Sequence, residues 1–252
     1  MSTLLAGAAA WMPFTDLEIL ADLGAVIYAF DDLVDEGDIT AADAAFRGQQ
    51  LASVAASQDA PEVAFDPMAN LMRSIAARLS GSALMGTLSE EWARVTSEMF
   101  EGMAAQRYLT ERLRAGHTLA LSEVLDVGRR SVGVECVAFA ACIALEDTTS
   151  VSELRRFIVA ARRFSLAARI ANDLRSASRE REEDTVNPLF LPGVETSALE
   201  SMLRAALAEG RLILAPLVRV GAPAARFLEA FATGLVAVYA QREMHDEPTI
   251  AA

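Results

Sequence analysis

Cysteine is scarce in this sequence, and the two cysteines present exclude two common kinds of site. Cys136 and Cys142 lie six residues apart inside an apolar run. This spacing fits neither a zinc finger nor a disulfide framework. We therefore expect both side chains to be buried, reduced core residues of a cytoplasmic protein.

Uninterrupted apolar runs long enough for a membrane are missing as well. Residues 131–145 are weakly charged, but Glu135 interrupts them, and the run falls short of the roughly 20 residues that span a bilayer. Residues 4–11 are largely apolar, yet no basic residue precedes them, which argues against a signal peptide. The sequence therefore predicts a soluble protein without a membrane span.

Basic residues are fewer than acidic residues in this chain. The chain carries 35 acidic and 22 basic side chains, which gives a formal net charge of −13 at pH 7. The phosphates of a nucleic acid would be repelled along most of such a surface, so no nucleic-acid partner is expected. A polyanionic substrate remains compatible with this net charge if bound metal ions offset the repulsion.

Aromatic residues make up only 6% of the chain, although 53% of its residues are hydrophobic. Alanine and leucine are abundant, and the eight prolines fall mostly between apolar segments, which is typical of an all-α protein. A length of 252 residues suits one domain over residues 1–252. The predicted helices cover residues 16–36, 41–57, 68–79, 88–114, 122–145, 151–180, 197–215 and 224–244.

Four carboxylates in six residues end the first predicted helix: Asp31, Asp32, Asp35 and Glu36. Helix positions four apart share a face, so Asp31 pairs with Asp35 and Asp32 with Glu36. Like charges at this spacing repel each other unless a cation compensates them. Hard oxygen ligands in one patch suit Mg²⁺, which takes the rest of its shell from water and substrate phosphates. The alternative is a solvated acidic helix end.

A second oxygen-rich stripe lies near the end of the predicted helix 151–180. Asn172, Ser176 and Glu180 recur at intervals of four and offer an amide oxygen, a hydroxyl and a carboxylate, a chelating set for a hard cation. Arg179 adjoins the last of them, where it could hold a phosphate through two hydrogen bonds. The alternative is an ordinary polar helix face, and Arg169 favours a helix that is partly solvated.

The two motifs together resemble those of the class I terpene synthases, which carry DDxxD(E) and, much further on, NDxxSxxxE. Here they read DDLVDE at 31–36 and NDLRSASRE at 172–180. The resemblance implies an all-α, single-domain helical bundle of the class I terpenoid synthase type, with its active site between the helices ending at these motifs. It also implies a cluster of Mg²⁺ ions, three in the expected arrangement, and a prenyl diphosphate as the small-molecule partner. The family is often dimeric, so a homodimer is one expectation. The metal ligands implied are Asp31, Asp32, Asp35, Asn172, Ser176 and Glu180.

The stretch RRSVG at 129–133 resembles a third family motif, Arg-Arg-x-Thr-x-Gly. By this resemblance Arg129 senses the diphosphate, and Gly133 marks a helix break that presents a backbone carbonyl to the cation. Ser131 takes the threonine position, whereas Gly128 falls where the family has its first arginine. Independently, two adjacent arginines before a long apolar run need an anion or exposure, so Arg130 is also a candidate diphosphate ligand. A glycine inside a helix costs about 1 kcal/mol relative to alanine and predicts a break there.

The ends of the chain fit the family pattern less well. The region before the aspartate-rich motif is shorter than is usual in the family. Instead of a C-terminal Arg-Tyr pair that clamps the diphosphate, the chain has Tyr239 and Arg242, in the wrong order. Arg242 is kept as a candidate diphosphate ligand. The charged residues 181–187 form a candidate lid that becomes ordered when diphosphate and metal arrive, or a flexible linker.

The activity implied by the resemblance is Mg²⁺-dependent ionisation of farnesyl or geranylgeranyl diphosphate, followed by cyclisation. Asp31, Arg129 and Gly133 are the implied catalytic residues. Phe30, Tyr108 and Phe139 are candidates for the apolar wall that shields the carbocation, with core packing as the alternative for each.

Two other functions stay open at this point. A chain-elongating prenyltransferase would share the helical architecture, but that family carries a second aspartate-rich motif where this chain has NDLRSASRE. A non-catalytic relative that binds a diphosphate is the other alternative. Asn172, Ser176 and Glu180 favour cyclisation over chain elongation.

Overall fold

The computed structural model describes residues 7–35, 39–56 and 66–241, and its regular elements in these ranges are all helical. The all-α prediction is confirmed. None of the described helices combines the length and the apolar composition that crossing a bilayer requires. In chain order the helices are α1 (Phe14–Asp35), α2 (Ala41–Ala56), α3 (Pro67–Ser80), α4 (Met85–Arg114), α5 (Leu121–Ser131), α6 (Val134–Ala144), a short α7 (Thr148–Ser152), α8 (Leu154–Glu182), α9 (Thr196–Arg219) and α10 (Pro223–Gln241), with a 3-10 turn at Pro188–Phe190.

The predicted helix 122–145 is two helices, because α5 ends at Ser131 and α6 begins at Val134. Between them Gly133 adopts a left-handed φ of +74°, a conformation that side-chain-bearing residues rarely adopt. The site is also crowded, since a Cβ at this position would lie 2.9 Å from Cδ1 of Ile27. The helix break predicted from this glycine is confirmed.

A buried carboxylate joins the entrance of α8 to the start of α10. Asp147 accepts hydrogen bonds from the backbone N–H of Ser150 (3.0 Å) and from its hydroxyl (2.6 Å), which starts the short helix α7. The same carboxylate accepts from the N–H of Ala224 (2.9 Å), at the first turn of α10. These bonds fix where α10 begins relative to α8, and α10 contributes one wall of the site described below.

The core holds the motif-bearing helices together through aromatic contacts. Phe30 of α1 packs edge-on against Phe100 of α4, with ring centroids 4.9 Å apart. Phe139 of α6 packs in the same way against Phe157 of α8 at 5.8 Å. All four rings are fully buried, so α1, α4, α6 and α8 are locked together close to the residues that carry the motifs. Both cysteines are buried and unpaired, as predicted.

Candidate active site

A cavity opens where the C-terminal part of α1, the middle of α8 and the α5–α6 break meet. Its volume is about 50 Å³. Its lining mixes apolar side chains with an acid, an amide and a guanidinium, as is usual for ligand sites. The polar and aromatic residues that matter most are Tyr28 and Asp31 of α1, Ser131 of α5, Arg169 and Asn172 of α8, and Tyr239 of α10.

The aspartate-rich motif contributes the α1 wall. Burial raises the pKa of Asp31 to about 6, and the charges of Asp32 and Glu180 add to this shift, whereas Arg169 opposes it. The pKa of Asp35, one turn on, is also raised by the surrounding protein and by the charge of Asp31. Its side chain reaches solvent, which weakens that shift. Because Glu180 acts on both aspartates, the two motifs face each other. Glu36 lies outside the described residues.

The second motif contributes the α8 wall. Asn172 lines the cavity, and Ser176 is buried one turn further on, where its hydroxyl donates to the Asn172 carbonyl (2.9 Å). Glu180 is only 6% exposed. The structure therefore brings Asp31, Asn172 and Glu180 to one site, as the spacing of the motifs predicts.

A hydrogen-bonding partner of Glu180 was not predicted from the sequence. The side-chain amide of Asn187 donates to the Glu180 carboxylate (2.7 Å) and to the Asp173 backbone carbonyl (2.7 Å). Asn187 is fully buried, and the N–H of its neighbour Val186 donates to the Thr110 hydroxyl of α4 (3.2 Å). The structure thus packs this end of the predicted lid against α4 and α8.

The two arginines of α5 that were predicted to bind the diphosphate form ion pairs with carboxylates. Arg129 pairs with Glu135 of α6 and, at 3.1 Å, with Asp126. Arg130 approaches the same Asp126 at 3.4 Å. Neither arginine lines the cavity. The protein itself thus supplies carboxylate partners for both arginines, and their role as diphosphate ligands stays a prediction.

Two arginines of α8 lie close to the acidic motifs. Arg179 pairs with Glu183 (2.8 Å). Its positive charge partly opposes the rise in the pKa values of Asp31 and Asp35. Arg169 lines the cavity and is only 6% exposed, contrary to the partly solvated helix face that its presence suggested. Arg242, the remaining candidate, lies outside the described residues.

The aromatic residues predicted for the cavity wall lie elsewhere. Phe30 and Phe139 belong to the buried pairs that lock the helices, and Tyr108 is 54% exposed with the Arg112 guanidinium 5.9 Å from its ring centroid. Core packing, the alternative given for each residue, is what the structure shows for the two phenylalanines. The aromatic side chains that line the cavity are Tyr28, Phe231 and Tyr239.

The donor set fits a hard divalent cation. Burial and the charges of Asp32 and Glu180 disfavour the Asp31 carboxylate at the α1 wall, and α8 adds the neutral oxygen atoms of Asn172, in the cavity lining, and of the buried Ser176. Across the described part of the chain, no three His, Cys, Asp or Glu side chains are grouped closely enough to hold a metal ion. Mg²⁺ commonly binds through few carboxylates and completes its shell with water and substrate phosphate oxygens.

The raised pKa of Asp31 predicts how the stability of the metal-free protein depends on pH. A protonated carboxyl is tolerated in the fold, and the ionised one is disfavoured. Relative to Asp31→Asn, the wild type should therefore lose roughly 1–3 kcal/mol as the pH rises from about 4 to above 6. Urea unfolding in EDTA measures this difference, and added Mg²⁺ should reverse it by favouring the carboxylate.

A matched control for this experiment is Asp184→Asn, at a position where the side chain is 74% exposed. Its stability difference from the wild type should stay flat over the same pH range. If the Asp31→Asn difference is equally flat, the fold does not disfavour the ionised Asp31 carboxylate.

Comparison with known proteins adds a family and a fold. The family model described as terpene synthase family 2, C-terminal metal binding, matches residues 22–191, a range that contains both motifs. No curated protein sequence matches the chain.

Among solved structures, the chain is similar to linalool/nerolidol synthase from Streptomyces clavuligerus, with a TM-score of 0.71 and 16% identity over 94% of this chain and 86% of that one. The structure of that enzyme in complex with 2-fluorogeranyl diphosphate gives a TM-score of 0.68 and 16% identity over 94% and 84%. A variant of cucumene synthase gives 0.67 and 16% over 92% and 80%. At this level of identity the likeness shows a shared fold.

Proposed function

Because this chain belongs to the terpene synthase family, we propose that it ionises a linear prenyl diphosphate with the help of Mg²⁺ and cyclises the resulting carbocation to a terpene. The substrates proposed are farnesyl and geranylgeranyl diphosphate. A structurally similar enzyme has been solved with 2-fluorogeranyl diphosphate, which supports a prenyl diphosphate as the class of substrate for this chain.

The observation that carries this proposal is that both motifs face one cavity. Asp31 and Asn172 line it from α1 and α8, and the Glu180 charge acts on Asp31 across the gap. Oxygen ligands on two facing walls can share metal ions with a diphosphate between them, whereas a solvated acidic helix end has no facing wall.

Each wall has a role in the proposed reaction. Asp31, Asp32 and Asp35 on α1, with Asn172, Ser176 and Glu180 on α8, would hold the ions, for which we propose three. When bound, Mg²⁺ supplies positive charge that stabilises the departing diphosphate. Arg169 and Arg179 add fixed positive charge beside the same carboxylates. Tyr28, Phe231 and Tyr239 offer aromatic faces to a carbocation and help to exclude water from it.

The α8 wall favours cyclisation over chain elongation. Its donors facing α1 include the neutral side chains of Asn172 and Ser176, where a chain-elongating prenyltransferase carries a second set of aspartates. The feature that separates the two reactions is therefore the succession of an amide, a hydroxyl and a carboxylate at intervals of four residues along α8.

Incubation of the purified protein with Mg²⁺ and geranyl, farnesyl or geranylgeranyl diphosphate tests the proposal, with extracts analysed by gas chromatography and mass spectrometry. A cyclic hydrocarbon or alcohol from farnesyl or geranylgeranyl diphosphate is expected, and its formation should stop in EDTA. A longer prenyl diphosphate, formed when isopentenyl diphosphate is added, would show chain elongation instead. No turnover of any substrate by the folded protein would overturn the proposal.

A further inference from the structure

The α5–α6 break is itself part of the cavity wall, because Ser131 and Val132 line the cavity. Gly133 follows them in its left-handed conformation and begins α6. Among the described residues, no side chain caps this helix start with a hydrogen bond. The first N–H groups of a helix have no partner within the helix. The position of the break therefore depends on what packs against the two helix ends.

Neighbouring helices pack directly on the end of α5. A Cβ added at Gly102 of α4 would lie 2.7 Å from the backbone nitrogen of Ser131, and one added at Gly128 would lie 2.7 Å from Cγ of Arg169. Real Cβ atoms essentially never come this close to other atoms, so both contacts require glycine. Oε1 of Gln106 on α4 lies 3.0 Å from the Ser131 hydroxyl and accepts from Nη1 of Arg169, also at 3.0 Å. The end of α5 is thus fixed by α4 and α8.

The start of α6 is fixed by a buried carboxylate. Glu135, in the first turn of α6, is 8% exposed and pairs with Arg129 across the break and with Arg162 of α8 at 3.4 Å. Burial raises the pKa of Glu135, and the charges of the two arginines oppose that rise. From α4, Arg94 adds to their effect and Glu98 counteracts it. Glu135 therefore joins the helices on both sides of the break to α8.

From these contacts we propose that Glu135 is a positioning residue for the reaction: it fixes the α5–α6 break and so holds Ser131 and Val132 in the cavity wall, and Arg129 acts through Glu135 and not on the diphosphate. This inference rests on the proposed function. Arg129 pairs with Asp126 and Glu135 and is not among the described residues that line the cavity. Because Arg129 and Glu135 lie on opposite sides of the break, a change in its angle would separate them and move the cavity wall.

The test uses three variants, Glu135→Gln, Arg129→Gln and the double variant. Each single change leaves the remaining charge a partner, since Arg129 keeps Asp126 and Glu135 keeps Arg162. No lone charge is therefore buried, and the fold is not endangered.

Three measurements are made on each variant. Steady-state kinetics with the active prenyl diphosphate give kcat, KM and the product ratios. Isothermal titration calorimetry gives the affinity for inorganic pyrophosphate in the presence of Mg²⁺. Hydrogen-exchange mass spectrometry gives the exchange rates of the backbone amides in peptides that span residues 129–137.

Glu135→Gln should lower kcat by roughly 10–100-fold, because a misplacement of about 1 Å can cost about 10²-fold in rate. Arg129→Gln should have the same effect, and the double variant should lose no more than the larger single loss, because the two residues act as a unit. In all three variants the product ratios should change and the amides of 129–137 should exchange faster, whereas the affinity for pyrophosphate should stay that of the wild type.

Arg163→Gln is the matched control. It removes an arginine of α8 from an exposed pair with Glu209 (3.0 Å), and none of the measured quantities should change.

Weaker pyrophosphate binding by Arg129→Gln but not by Glu135→Gln would overturn the proposal, because Arg129 would then bind the diphosphate. A Glu135→Gln protein that only melts earlier, with the kcat, product ratios and amide exchange of the wild type, would overturn it as well. In either case turnover by the wild type leaves the proposed function intact. If the wild type turned over no prenyl diphosphate, the proposed function would fail, and the amide exchange of Glu135→Gln would still show whether Glu135 fixes the break.

Discussion

Replacing Glu180 by Gln should reduce kcat by about 10³-fold or more while making the metal-free protein more stable. The turnover falls because an anionic ligand of the α8 wall is lost. The stability rises because the Glu180 charge repels Asp31, Asp35 and Asp173, all of which have raised pKa values, and we expect this repulsion to exceed its attraction to Arg169. Relief of about 1 kcal/mol would shift the melting midpoint by roughly 2–4 °C for a chain of this size. Steady-state kinetics and thermal unfolding in EDTA measure the two effects.

Glu182→Gln is the matched control for this experiment, since it removes the same charge from the exposed side of the same helix. It should change neither turnover nor the melting midpoint appreciably. The substituted glutamine at 180 can still accept the Asn187 hydrogen bond, so folding is not at risk. A Glu180→Gln variant that loses activity and also melts earlier than the wild type would show that Glu180 stabilises the fold, and that the two motifs do not repel each other.

Replacing Asn187 by Ala should lower the affinity for Mg²⁺ by roughly 10–100-fold, the usual effect of removing a hydrogen-bonding partner of a metal ligand. The Asn187 amide donates to the Glu180 carboxylate and to the Asp173 carbonyl, both buried, so its loss removes one donor from each acceptor, and the Asp173 carbonyl keeps its helical N–H donor. Each such loss costs about 1–3 kcal/mol, and we expect roughly 2–4 kcal/mol of destabilisation in all. Mg²⁺ titration of the thermal midpoint and urea unfolding measure these quantities.

Asn70→Ala provides the comparison for a plain asparagine truncation. Asn70 is exposed on α3, and its side chain accepts only from the neighbouring Arg73 (2.9 Å) among the hydrogen bonds described. Little change is expected in either quantity. If Asn187→Ala lowered the stability but left the midpoint equally responsive to Mg²⁺, Asn187 would stabilise the fold without orienting Glu180.

The features that the sequence predicted well depend on the spacing of residues along a single helix. Spacing at intervals of four placed Asp31 with Asp35 and Asn172 with Ser176 and Glu180, and one member of each stripe, Asp31 and Asn172, lines the same cavity. The break at Gly133 could also be anticipated, because a glycine inside a predicted helix is costly. In each case the determining contacts lie within a few residues along the chain.

What the sequence could not predict depends on contacts between helices. Arg129 needed an anion, and Glu135 is only six residues away, but it comes within reach because the helix between them breaks. Arg169 precedes Asn172 on the same stripe, which is the one signal that could have pointed to it. Its neighbours Gly128 and Gln106 lie on two other helices, and nothing in the spacing of the chain connects them.

The close contact between Arg169 and Gly128 also restricts how such a site can evolve. A side chain at 128 and an arginine at 169 exclude each other, since the first atom of one would lie within 3 Å of the other. A larger residue at 128 therefore requires that the Arg169 side chain be moved or shortened at the same time.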